Sequence, residues 1–220
     1  MDFLSPNVKA SYLLRQLWLG LTAKSSADYW ERRYVAGLTS GRGSYGELAR
    51  FKAEVLNEFV REHAIASVIE LGCGDGNQLS LAEYPRYLGL DVSRRAIDLC
   101  TQRFRADSSK AFRWYDSGPG DHSGASITAD LVISLDVIYH LIEDSVYHAY
   151  LRDLFSMARR FAVIYSSDTD DSAPAAHVRH RRFTRDVASD FPEFRLADRI
   201  ANRHPELTLA EFFVYERVGG

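Results

Sequence analysis

The 220-residue chain holds two cysteines, Cys73 and Cys100, too few for a disulfide framework and without the paired spacing of a zinc site. That scarcity fits a reducing compartment, so a cytoplasmic location is the default expectation. Long apolar runs are also missing. A bilayer span needs about 20 apolar residues, and the most apolar stretch, Tyr12 to Leu21, is interrupted by Arg15 and Gln16; no membrane partner is expected. Charge of one sign is lacking too. With 27 Lys and Arg against 30 Asp and Glu, the formal charge of −3 gives no overall attraction to nucleic acid or anionic lipid. Internal repeats and low-complexity tracts are absent.

What is present suits one globular domain: 46% hydrophobic residues with frequent aromatics. Residues 1–44 read as a helical cap and 45–220 as the main domain. In the cap, Leu13, Leu14, Leu17, Trp18 and Leu21 fall on one helical face. That face is expected to pack on the domain, with covering the active site or meeting a second copy in a homodimer as alternatives. A short helix follows from Asp28, then a Gly/Ser-rich loop over 37–46. Ser44 and Glu47 have capping-box spacing before an amphipathic helix marked by Leu48, Phe51, Val55, Leu56, Phe59 and Val60 and ending near His63.

Beyond it, short β-branched runs alternate with helical patterns. Strands are expected at Ser67–Leu71, Tyr87–Asp91, Ala111–Asp116, Leu131–Leu135 and Phe161–Ser166. Such a series predicts an α/β fold, Rossmann-like, with a parallel sheet covered by helices on both faces and ligands at the carboxyl ends of the strands. The closing run pairs Glu193–Ile200 with Leu207–Val218 through Asn202-Arg203-His204-Pro205, an antiparallel hairpin.

The segment Glu70-Leu71-Gly72-Cys73-Gly74-Asp75-Gly76 sits where a strand runs into a helix, and its glycines let backbone turn sharply beside a ligand. A dinucleotide fingerprint spaces its glycines GxGxxG; here the spacing is GxGxG with Glu70 in the strand before it, which favours S-adenosylmethionine over NAD. Asp91, fifteen positions beyond Gly76, ends the second strand where a carboxylate accepts from both ribose hydroxyls. Asp116 is a candidate for the adenine amino group or a plain turn aspartate.

VIELGCGDG at 68–76, YLGLDVS at 87–93 and ADLVISLDVIYHL at 129–141 resemble the class I S-adenosylmethionine-dependent methyltransferases, over roughly residues 45–218. The resemblance implies five parallel strands, the closing hairpin and a cofactor held by Glu70, Gly72, Gly74, Gly76, Asp91 and Leu135. Cys73 and Gln78 at the loop, and Val92 and Ser93 after Asp91, complete the expected contacts. Trp30 and Tyr34, in DYWERRY, look like aromatics that such enzymes place over the cofactor, where a sulfonium gains from a ring face; packing on the sheet is the other reading.

Methyl transfer is an in-line displacement, and an alcohol acceptor must also lose its proton. His140, after strand four, is the candidate base, with Asp136 four residues earlier to orient its ring or share a metal with it. A structural histidine is the alternative. Asp168, after strand five, joins Asp136 as a candidate ligand for Mg²⁺, against the alternative of solvated turn aspartates. The basic run His177-Val178-Arg179-His180-Arg181-Arg182 is either a solvated loop before a helix capped by Thr184 or a substrate contact; Tyr139, His177, His180 and Arg181 are the candidate substrate residues.

DYWERRY, SGRGSYGELARFKAEVLN at 40–57, the glycine loop and HVRHRRFT together are similar to bacterial methyltransferases of polysaccharide biosynthesis, nearest the mycobacterial methylmannose polysaccharide 1-O-methyltransferases. That likeness implies a sugar or oligosaccharide hydroxyl as acceptor, a divalent metal and His140 as base. An RNA or small-molecule methyltransferase is the competing enzyme, with nucleic acid disfavoured by the weak charge; a cofactor-binding regulator without catalysis is the competing class.

Overall fold

A computed structural model of the chain describes residues 19–115, 127–171 and 175–219. In chain order these form α1 (Ser26–Val35), α2 (Gly46–Glu62), β1 (Val68–Leu71), β2 (Tyr87–Asp91), α3 (Arg94–Arg103), β3 (Lys110–Trp114), β4 (Ala129–Leu135), α4 (Asp144–Met157), β5 (Ala158–Ser166), α5 (Phe183–Asp190), β6 (Phe194–Ile200) and β7 (Glu211–Arg217). Short 3₁₀ turns lie at Arg42–Ser44, Leu79–Leu81 and Ile138–His140.

The strands make one sheet in the order β3-β2-β1-β4-β5-β7-β6. The first five run parallel, and β7 is antiparallel to both β5 and β6. The Rossmann-like α/β arrangement with a closing hairpin is therefore the fold. Its central strands hold unbroken apolar runs, Leu131–Ile133 in β4 and Phe161–Tyr165 in β5, because both faces are covered. On β5, Phe161, Val163 and Tyr165 join one core with Phe51, Leu56 and Phe59 of α2. Ala162 and Ile164 point the other way, to Leu151 and Phe155 of α4 and Phe183 of α5. Each fully buried side chain of this kind contributes about 2 kcal/mol.

Chain order runs outward from β1 through β2 to β3 and then returns to β4 on the other side of β1. That reversal opens a crevice at the carboxyl ends of β1 and β4, the place where such sheets bind ligands.

Several boundaries differ from the sequence reading. β4 and β5 begin at Ala129 and Ala158, earlier than the most apolar residues. β3 stops at Trp114; Asp116 and the loop from 117 to 126 lie outside the described residues, as do Leu13, Leu14, Leu17 and Trp18. Of that apolar N-terminal face Leu21 is exposed. The Ser44–Glu47 capping box does not form: Tyr45 is the N-cap of α2, no side chain caps it, and Ser44 instead ends the preceding 3₁₀ turn. β7 starts at Glu211 and not at Leu207, because local turn bonds occupy the approach: His204 N donates to Asn202 Oδ1, Leu207 N to His204 O, and Ala210 N to Thr208 Oγ1. Among the described residues no helix is long and apolar enough to cross a membrane.

Candidate active site

The cleft, about 800 Å³ including its open mouth, lies over the β1 and β4 ends. Its floor is the glycine loop. Gly74 has φ 59°, and a Cβ there would overlap Ser40 Oγ and meet the Tyr34 hydroxyl at 3.0 Å, so neither the backbone nor the space admits a side chain. Beside it Asp91 is clamped by two amides, Gly74 N to Oδ2 and Ser93 N to Oδ1, both at 2.8 Å. Each oxygen keeps a lone pair for a ligand. Burial raises the Asp91 pKa to about 6, and the two amide bonds oppose the rise. Glu70 is buried as well; burial lifts it to about 7 while the Tyr87 hydroxyl, donating at 2.6 Å, opposes.

The N-terminal segment roofs the cleft. Ser25 caps α1 by accepting from Asp28 N at 3.1 Å. Glu31 receives the Ser93 hydroxyl at 2.6 Å at the N-terminus of α3, and Ser26 donates through N and Oγ to Glu143 at 2.9 and 2.8 Å. Trp30 and Tyr34, also on α1, line the cavity. The loop after α1 is fixed to the glycine loop by a reciprocal pair: Ser40 N to Asp75 Oδ2 at 3.0 Å and Asp75 N to Ser40 Oγ at 2.9 Å, with the Tyr45 hydroxyl also donating to Asp75 at 2.8 Å.

At the β4 end Asp136 is left-handed, φ 60°. Its Oδ2 meets the ammonium of Lys52 at 2.5 Å and its Oδ1 accepts from the Tyr139 hydroxyl at 2.8 Å. It therefore does not orient His140. The His140 Nδ1 lies 3.0 Å from the His177 carbonyl; a carbonyl only accepts, so Nδ1 carries the proton and Nε2 the lone pair. His140 lines the cavity, with the Trp30 ring edge-on at 5.0 Å. Burial lowers its pKa to about 4, so the ring is neutral at physiological pH.

Of the residues expected at the cofactor, Trp30, Tyr34, Glu70, Gly72, Cys73 and Gly74 face the cleft, as do Gln78, Asp91, Val92 and Leu135. Gly76 and Ser93 stand behind that wall. Gly76 packs on Phe104 and Cys100, and Ser93 caps α3 by accepting from Ala96 N. None of the four substrate candidates lines the cleft. His177 stacks on Tyr29 at 4.5 Å, the His180 Nδ1 lies 2.7 Å from Ser167 Oγ, and Tyr139 turns to Asp136. Arg181 is spent on structure, donating to the Leu141 and Ile142 carbonyls and to Asp144 while lying over the Tyr147 ring. Arg179 holds the same loop and Arg182 pairs with Asp170.

The Mg²⁺ expectation fails on its donors. Asp136 already holds an ammonium, and Asp168 takes Thr184 N and Oγ1 at 3.1 and 2.7 Å, so it ties down the first turn of α5. Thr184 is thus inside that helix and not its cap. Among the described residues no three His, Cys, Asp or Glu side chains gather as a metal site.

Sequence reading missed Lys52, Ser40, Asp75 as a brace, Tyr115 and Tyr150. Only Lys52 left a signal: Leu48, Lys52 and Leu56 are spaced by four, which puts a lysine on the buried stripe of α2.

A methyltransferase-domain family model matches residues 69–164, the stretch from β1 through most of β5. No curated protein matches the chain in sequence. Solved structures share its fold. The N-methyltransferase NodS from Bradyrhizobium japonicum WM9, with S-adenosyl-L-homocysteine, is 16% identical, with 89% of this chain and 100% of that one covered and a TM-score of 0.67. Magnesium protoporphyrin IX methyltransferase from Synechocystis PCC 6803, with bound SAH, is 17% identical over 87% and 97% at TM-score 0.62. The amino pentose methyltransferase CalS10 from Micromonospora echinaspora, SAM bound, is 15% identical over 80% and 94% at TM-score 0.60. The domain match takes in the glycine loop, Asp91 and β4, so residues 69–164 match a methyltransferase domain, carried on the fold that these S-adenosylmethionine-dependent enzymes share.

Proposed function

We propose that the chain methylates a hydroxyl of a sugar or oligosaccharide in polysaccharide biosynthesis, with His140 as general base. The observation behind this reading is the His140 tautomer: Nδ1 donates to the His177 carbonyl, leaving Nε2 open to accept a proton at the cleft. In the proposed seat Asp91 takes the ribose hydroxyls, Val92 and Tyr115 flank the adenine, and Trp30 and Tyr34 face the sulfonium.

The acceptor oxygen forms its bond to the methyl carbon as the sulfur–methyl bond breaks, and the hydroxyl proton passes to His140 Nε2. Positive charge leaves the sulfur as the imidazolium forms, so charge moves within the cleft and is not created there. That exchange offsets the low proton affinity of a buried histidine. Asp136, held by Lys52 and Tyr139, lines the same cleft as His140. The CalS10 fold is used on an amino pentose, which supports a sugar acceptor. The arginines of the 177–182 run are engaged with carbonyls and carboxylates, which weakens the RNA alternative.

Tritiated S-adenosylmethionine offered with short methylated and unmethylated oligosaccharides tests the reading; label in a sugar product supports it. Transfer to RNA or to amines alone sinks it. Cofactor binding with no transfer to any pool would make the chain a regulator.

A further inference from the structure

His140 owes its tautomer to a carbonyl that stands outside every helix and strand. His177 lies in a turn between β5 and α5, 37 residues from His140 in sequence, and its O accepts the Nδ1 proton at 3.0 Å. One backbone bond ties that stretch to the His140 turn, Arg179 N donating to Tyr139 O at 2.7 Å. A second hold comes through the His177 ring. It stacks on Tyr29 at 4.5 Å with the planes 13° apart, and on His140 itself at 5.6 Å and 9°. Trp30 meets the other two edge-on, 5.4 Å from Tyr29 and 5.0 Å from His140. Four rings thus make a closed circuit, in the stacked and edge-to-face arrangements that aromatic rings prefer.

Tyr29 is the rigid side of the clamp. It is 2% exposed in α1, and its hydroxyl accepts from Arg33 Nη1, one turn on, at 3.2 Å, while Arg33 Nε donates to Thr39 O at 2.6 Å. The helix itself is tied down at Ser26 and Glu31. Tyr29 does not line the cleft, so it meets no acceptor there. What it controls is where the His177 ring, and with it the His177 carbonyl, comes to rest. Without that carbonyl nothing selects Nδ1 for the proton, and a neutral imidazole protonated on Nε2 has no lone pair there to take another. Resting on the general-base reading given above, we infer that Tyr29 is a positioning residue: clamped against the His177 ring, it fixes the carbonyl that keeps the His140 proton on Nδ1.

Nitrogen-15 NMR of the histidine side chains reads the tautomer, with His140→Ala identifying the His140 signals. Wild-type protein at neutral pH is expected to show a protonated Nδ1 and a bare Nε2. Tyr29→Leu is expected to mix the two forms and to lower label transfer from tritiated S-adenosylmethionine to oligosaccharides about tenfold or more, with S-adenosylhomocysteine affinity unchanged. Tyr29→Phe keeps the ring and is expected to restore both the tautomer and the transfer. A single Nδ1-protonated form in Tyr29→Leu overturns the assignment, as does a Tyr29→Phe variant as impaired as Tyr29→Leu. Where Tyr29→Leu fails to fold, His177→Ala serves, since it removes the other ring of the clamp and keeps the carbonyl; an unchanged His140 tautomer in that variant also overturns the assignment. The general-base reading fails separately. Full transfer by His140→Ala removes the base and the catalytic role of Tyr29 with it, whereas lost transfer in His140→Ala beside an unmoved tautomer in Tyr29→Leu removes Tyr29 alone.

Discussion

Lys52 and Asp136, 84 positions apart, form an ion pair at 2.5 Å, with the lysine side chain entirely enclosed and the carboxylate 13% exposed. Tyr139 closes the other carboxylate oxygen, and the backbone of Gly43 comes so near that a Cβ there would overlap Asp136. A segment remote in sequence and the turn just after Asp136 thus fix one left-handed residue at the cleft. Removing one partner strands a charge with little water to receive it. Lys52→Met is expected to cost about 3–5 kcal/mol in urea unfolding, and the Lys52→Met/Asp136→Asn double variant less than the sum of the singles. Additive losses would show that the pair is not coupled.

His140→Ala is expected to lower turnover at least about 100-fold and to leave S-adenosylhomocysteine affinity unchanged, measured by label transfer and calorimetry. The pKa of about 4 adds a pH signature. A histidine with a folded pKa below its unfolded value of about 6.5 binds fewer protons folded than unfolded between those values. Its contribution to stability is present above that window and is lost as pH falls from about 6.5 to 4. The wild type minus His140→Ala difference in unfolding free energy is expected to shrink across this range; a flat difference would put the histidine elsewhere than in a buried neutral state.

Asp91 titrates the other way. Its carboxyl sits at about 6, above the ordinary carboxylate range, and the ribose diol favours the ionised acceptor. Cofactor affinity is therefore expected to rise as pH climbs through 6 and to level off above it, while Asp91→Asn binds weakly with no such rise. Calorimetric titrations with S-adenosylhomocysteine between pH 5 and 8 check this.

The fold was legible because burial on both faces leaves a signature: Leu131–Ile133 of β4 and Phe161–Tyr165 of β5 are unbroken apolar runs, and GxGxG follows directly on β1. Asp91 was legible from the end of its strand. Side-chain partnerships across the chain were not. The Ser40–Asp75 brace spans 35 residues, and the Leu141 carbonyl that takes Arg181 lies 40 residues from it. Asp136 and His140, four residues apart, would share a face of an α-helix, but left-handed Asp136 precedes a 3₁₀ turn, so that spacing does not apply.

Activity is expected to be indifferent to EDTA, since the aspartates that spacing offered to Mg²⁺ hold other groups. Asp136 faces the Lys52 ammonium, and Asp168 secures Thr184 in the first turn of α5. The two roles separate by mutation. Asp168→Ala removes two hydrogen bonds from a helix end and is expected to cost about 1–2 kcal/mol in unfolding, with S-adenosylhomocysteine affinity unchanged. Were Asp168 a metal ligand instead, added Mg²⁺ would raise the melting temperature of the wild type and not that of the variant. The arrangement around Thr184 predicts the same Mg²⁺ response, close to zero, in both.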